Sequence, residues 1–224
     1  MSSESVCVAE KGETMLGQIL RQLRSHAPFT IFGALSGIVF MLVFRNISYE
    51  TSHTLFYVFH PIHVVLSAMV TASMYRLHTC ERVSGKCLRG GCNLWVLLII
   101  GYVGSIGIAT LSDSVIPYLG ETLLQMPHRH VHIGFIEEWW LINPAAILGI
   151  AIAYFWPATK FPHAGHVLLS TWASIFHITM AKSGALDPLS YAVIFVFLFL
   201  AVWLPCCVSD IVFPLLFVKP TKKA

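Results

Sequence analysis

The chain has 224 residues, 56% of them hydrophobic and only 11% charged, with a mean hydropathy of +0.74. Soluble domains carry about 25% charged residues, so this composition excludes an ordinary soluble enzyme and indicates an all-α polytopic membrane protein. The formal net charge of +3 is distributed as a topology signal and leaves no nucleic-acid footprint.

Residues 1–27 lack the basic start, apolar run and cleavage site of a signal peptide. From Met15 to Leu23 they read as a cytoplasmic amphipathic helix, with Leu16, Ile19, Leu20 and Leu23 opposite Arg21 and Arg24. Six apolar segments follow at about 28–45, 53–75, 93–118, 139–156, 162–182 and 189–217. Each approaches or exceeds the roughly 20 residues that cross a bilayer. With six spans, 11 of the 14 Lys and Arg residues share one side, and only Arg45, Arg129 and Lys182 take the other. That asymmetry puts both termini in the cytoplasm of a plasma membrane, or of a bacterial or archaeal inner membrane. The six cysteines, Cys7, Cys80, Cys87, Cys92, Cys206 and Cys207, fall on or near the cytoplasmic side, where disulfides are disfavoured. The spacing of His78, Cys80, Cys87 and Cys92 matches no zinc module, and Cys206 and Cys207, three and four residues before Asp210, could bind a soft metal but read first as small apolar packing residues.

Three signatures occur twice. His60-Pro-Ile-His63-Val-Val-Leu-Ser67 and His163-Ala-Gly-His166-Val-Leu-Leu-Ser170 both read H-x-x-H-V-x-L-S. Ser112-Asp113-Ser-Val-Ile-Pro117 and Ser209-Asp210-Ile-Val-Phe-Pro214 both read S-D-x-V-x-P. Pro28-Phe-Thr-Ile-Phe-Gly33 pairs with Pro144-Ala-Ala-Ile-Leu-Gly149. The three matches keep their order at similar offsets, so the chain reads as two three-helix repeats, 28–120 and 144–218, separated by an outer His/Glu/Trp loop at 121–143 and followed by a basic tail at 219–224. An odd number of helices per repeat requires the second copy to enter from the opposite side, an inverted repeat of the kind found in secondary transporters.

Residues three apart share a helix face, so each copy offers two imidazoles to one side, and an intramembrane carboxylate is costly without a partner. His60, His63 and Asp113 in one repeat, and His163, His166 and Asp210 in the other, form a ligand set for zinc, iron, manganese, cobalt or nickel. Ser67, Ser170, Ser112 and Ser209 are placed to hydrogen-bond these ligands. Inversion puts one cluster toward each face, and Pro61, Pro117, Pro162 and Pro214 suggest helix breaks that bring the clusters nearer the midplane. His128, His130, His132, Glu137 and Glu138 sit where cations would enter from outside. His177 has Met74 as its counterpart and breaks the symmetry. Gly101, Gly104 and Gly107 fit close helix packing.

The reading that follows is a transporter of a divalent transition-metal cation, rather than an enzyme, with proton coupling through His or Asp as an option. Its partners are the lipid bilayer, the metal ion and, because six helices are few for a transporter, a second copy in a homodimer. The competing readings are an intramembrane metalloenzyme, a haem protein and a proton-coupled anion transporter.

Overall fold

A computed structural model of the chain describes residues 15–79, 82–83, 86–87, 93–208 and 213–217. Helices α1 (Met15–Val43) and α2 (Tyr49–Thr79) come first, then a small antiparallel ribbon, β1 (Arg82–Val83) with β2 (Lys86–Cys87). Helix α3 (Leu94–Thr110) passes through a π-helical turn, Leu111–Val115, into α4 (Ile116–Leu123). There follow α5 (Gly134–Glu137), α6 (Trp139–Phe155), α7 (Lys160–Ala181), α8 (Pro188–Cys207) and α9 (Phe213–Leu215). Apart from the ribbon the described chain is helical. Residues 1–14, Cys80, Cys92, Ser209, Asp210 and the tail 219–224 lie outside the described residues.

Four helices are long and apolar enough to cross a membrane: His26–Val43, Tyr49–Leu77, Leu94–Leu123 and Pro188–Cys206. The other two expected segments differ for separate reasons. Helix α6 has 17 residues. Helix α7 has 22, but its polar residues lower its hydropathy, and His166, Ser170, Thr171, Ser174, His177 and Thr179 are all buried against protein.

The interior mixes apolar clusters with many buried polar side chains, and large apolar side chains also cover the surface. Helix α2 is central, laid along α7 more extensively than any other pair in the fold, with α6 and α3 on its remaining sides. Polar Ser67, Thr71 and Ser73 of α2 are buried, while Phe32, Val39, Trp95, Ile99, Leu148 and Phe155 face outward. Close approach of the backbones makes this possible. A Cβ on Gly149 would lie 2.3 Å from the Val65 carbonyl oxygen, so α6 touches the α2 main chain. A Cβ on Gly101 would meet Ile150 at 2.6 Å and one on Gly104 would meet Thr71 at 2.8 Å, but Gly107 faces open space. The packing reading therefore holds for two of those three glycines.

The prolines act unequally. Pro28 and Pro61 lie within continuous helices, so no break occurs beside His60. Pro117 does alter the backbone: it has no N–H to offer the Asp113 carbonyl and its ring crowds that turn. The chain there widens into the π-turn, with the Ile116 N–H reaching the Leu111 carbonyl. Single π-turns of this kind often sit at functional sites, and this one carries Ser112, Asp113 and Ser114, all buried.

Candidate metal centre

Asp113 is fully buried and all of its acceptor capacity is used. Its Oδ2 accepts the Nδ1–H of His60 at 2.8 Å and the Nδ1–H of His63 at 2.7 Å. Its Oδ1 accepts the hydroxyls of Ser112 and Ser170, both at 2.7 Å. A carboxylate accepting two imidazole N–H groups fixes both rings in the Nδ1–H tautomer, which turns the Nε2 lone pairs away from it. The Nε2 of His63 is buried and has no hydrogen-bond partner among the described residues. An orphaned imidazole lone pair in a dry interior is a position that a cation would satisfy.

Across from that nitrogen lie His166 of α7 and Cys206 of α8. Ligand atoms of His63, His166 and Cys206 fall within 4.8 Å of one another, and all three residues are buried. A tetrahedral ion with bonds of roughly 2.0–2.3 Å holds its ligands roughly 3.5 Å apart, so modest side-chain adjustment would close the set. His60, His63 and Asp113 form a second such group, and His63 belongs to both. The first set has the ordinary logic of a metal site: an imidazole ligand whose far nitrogen is held by a carboxylate. His63 is the middle residue of the 29-residue stretch Tyr49–Leu77.

Among the described residues His63 belongs to both groups, and Asp210, expected with His163 and His166, lies outside the described residues. The His166 ring centroid is 5.5 Å from that of His63. His163 does not reach Asp113. It is half-buried, with its Nε2 3.0 Å from the Nδ1 of His26, and its ring lies 5.1 Å from His166. Ser170 backs Asp113 from α7. The Ser67 hydroxyl has no partner among the described residues.

Rings continue on the other side of Asp113. Phe56 stacks on His60 with centroids 5.1 Å apart and meets His132 at 5.3 Å and His177 at 5.6 Å. Beyond Phe56 is a cavity of about 270 Å³ bordered by His53, Tyr57, Glu121, His128, His130, His132, Glu137 and His177. His128, His130, His132 and Glu137 thus share one lining, and the His128 N–H donates to the Ala181 carbonyl at 3.2 Å. Glu138 stands instead at the start of α6, outside that lining. In the loop, His132 pairs through Nδ1 with Glu137 and accepts Tyr57 Oη–H on Nε2 at 3.0 Å. Burial outweighs the Glu137 charge and pulls the His132 imidazole down to about 4. A wider basin of about 980 Å³ outside this cavity holds Arg45, Arg129 and Lys182.

Two candidates are hard to see in the sequence. Cys206 suits packing as well as a soft metal, and the proximity of α8 to His63 cannot be read from periodicity. Glu121 follows Asp113 by eight residues, and both are buried. The structure thus defines an all-helical protein with membrane-length apolar helices around a buried imidazole–carboxylate core. Comparison with protein-family models, curated proteins and solved structures finds no match to this chain.

Proposed function

We propose that the protein is a membrane transporter of a divalent transition-metal cation, with six membrane-crossing helices arranged as two inverted three-helix repeats. The observation that carries this reading is the file of side chains running through the bundle. It leads from His26 to His163, His166 and His63, across Asp113 to His60, past Phe56, and on to His132 and His177. A metalloenzyme needs one coordination site and a substrate pocket. A conduit needs successive ligands spaced so that none binds too tightly to release its ion.

In this reading α6 and α7 also cross the bilayer. Helix α7 can do so despite its polar residues because its neighbours cover them, and a short α6 is accommodated by local thinning. Cargo rests at mid-depth on His63, His166 and Cys206. Sulfur beside two imidazoles favours zinc, cobalt, nickel or iron over manganese. Displacement of the thiol proton by the ion supplies a route to proton coupling. Both termini face the cytoplasm, following the Lys and Arg asymmetry.

The test is uptake of zinc or cobalt into liposomes containing the purified chain, read with an internal metal indicator. Flux that depends on protein and disappears in His63→Ala and His166→Ala is the expected result. No flux above protein-free vesicles for any of these divalent ions, with no metal retained by the purified protein, would overturn the proposal.

A further inference from the structure

The cavity beyond Phe56 contains a second carboxylate–imidazole pair with the opposite polarity. Glu121 on α4 is 1% exposed and its Oε1 lies 2.7 Å from the Nδ1 of His177, itself 4% exposed. The Nδ1–H of His177 donates to that oxygen and fixes the carboxylate. The other oxygen, Oε2, is buried and has no hydrogen-bond partner among the described residues. In the central cluster the carboxylate stands behind and an imidazole nitrogen is left to bind. Here the imidazole stands behind and a carboxylate oxygen is left. A buried carboxylate oxygen without a partner carries a desolvation penalty, which a bound cation removes.

The surroundings favour a cation. No Lys or Arg borders the cavity among the described residues, whereas His128 and His130 line its mouth. Two of the three basic side chains of the wider basin turn elsewhere: Lys182 Nζ donates to the Arg45 carbonyl at 2.6 Å and Arg129 to the Met126 carbonyl at 3.2 Å. About 270 Å³ is room for an ion with several of its waters, each taking roughly 30 Å³. Phe56 closes the inner wall, so an ion held here is a separate occupant from one on His63.

We propose that this cavity is a second binding site for a divalent transition-metal cation, with Glu121 as its anionic ligand and His177 as the residue that positions Glu121. The proposal deepens the transport reading by naming where cargo would be caught before it passes Phe56, and it stands on its own contacts. An oxygen and imidazole ligand set binds zinc, cobalt, manganese or iron with less selectivity than the thiolate set.

Cobalt(II) distinguishes the two sites, because a thiolate-bound ion shows a sulfur-to-metal charge-transfer band, and loss of that band in Cys206→Ser assigns it to the central site among the chain's six cysteines. The full chain in lipid nanodiscs is titrated with cobalt, and bound metal is counted beside the absorption spectrum. Wild type is expected to hold about two ions per chain and show the band. Glu121→Gln is expected to lose one ion and keep the band. Glu121→Asp, which keeps the charge but withdraws it by one methylene, is expected to bind the second ion about tenfold or more weakly. This variant serves as the test if Glu121→Gln does not fold. A Glu121→Gln protein that still holds both ions, or a Glu121→Asp protein with unchanged affinity, overturns the second site and leaves the central one intact. A Glu121-dependent ion with no charge-transfer band in wild type supports the second site and removes Cys206 from the central one.

Discussion

Asp113→Asn is the substitution that best probes the central cluster, because it keeps the shape of the side chain and removes only its charge. In the wild-type protein Oδ2 accepts two imidazole N–H groups at 2.8 and 2.7 Å, and Oδ1 accepts two serine hydroxyls at 2.7 Å each. An asparagine can turn its carbonyl to the imidazoles and its amide to Ser112 and Ser170, whose hydroxyls rotate to accept. The fold therefore survives. The imidazole bonds, however, lose their charge assistance, which roughly halves their strength. His63 is then less firmly held in its Nδ1–H tautomer, and its Nε2 becomes a weaker base. Loss of such a backing carboxylate typically weakens metal affinity by 10–100-fold, or about 1.4–2.7 kcal/mol. Competition of the purified protein with a chromophoric chelator for zinc measures this directly. Affinity within about twofold of wild type would refute the backing role. Complete loss of binding in Asp113→Asn, with Cys206→Ser unaffected, would move the ion to the group formed by His60, His63 and Asp113.

The remaining predictions concern the plug, the helix contact and the loop. Phe56 is 1% exposed, and Phe56→Ala should cost about 3–5 kcal/mol of stability while speeding metal release from the centre; stopped-flow transfer to a chelator reads the rate, and an unchanged rate means the ion does not pass Phe56. Gly149→Ala would place a Cβ 2.3 Å from the Val65 carbonyl and force α6 off α2, lowering the melting temperature by the equivalent of roughly 1–3 kcal/mol; a melt unchanged from wild type would show that the helices do not touch there. His132, held at about 4 in the folded protein, stays neutral between pH 6.5 and 4 while the unfolded chain takes up its proton below about 6.5. Since the unfolded state binds more protons in that window, stability should fall as pH drops through it, and His132→Gln should flatten that part of the melting profile. An identical slope in the variant would assign the pH dependence to other groups.

The sequence made one half of the centre readable and hid the other for physical reasons. His60, His63 and Asp113 were legible because a polar side chain in an apolar helix has to be explained, and the duplicated spacing put the pair on one face. Cys206 was not, since a thiol in an apolar run also suits ordinary packing and helical periodicity does not say which helix lies opposite. The duplicated spacing pairs His63 with His166, and those two rings lie together, while His163 lies against His26 of α1, a contact that periodicity within one helix does not show. The Ser170 hydroxyl reaches Asp113 from α7, a crossing likewise set by how the helices pack. Glu121 could have been found: Asp113, Pro117 and Glu121 recur every four residues, which places them on one helix face.

The departure from symmetry bears on how such a transporter would load. His177 has Met74 at its counterpart position, and carrying the offset from Asp113 to Asp210 forward pairs Glu121 with Val218. In the proposed repeat arrangement the Glu121–His177 pair therefore has no twin. In the proposed orientation this gives the outer approach a cation station that the cytoplasmic approach lacks. An extra station on one side raises the local ion concentration there and speeds loading from that face. It changes rates in both directions equally at equilibrium, so it cannot by itself set the direction of net transport. Direction must come from what is coupled to the ion. The group best placed to couple is the Cys206 thiol, whose proton has to leave when a metal binds and return when the metal goes.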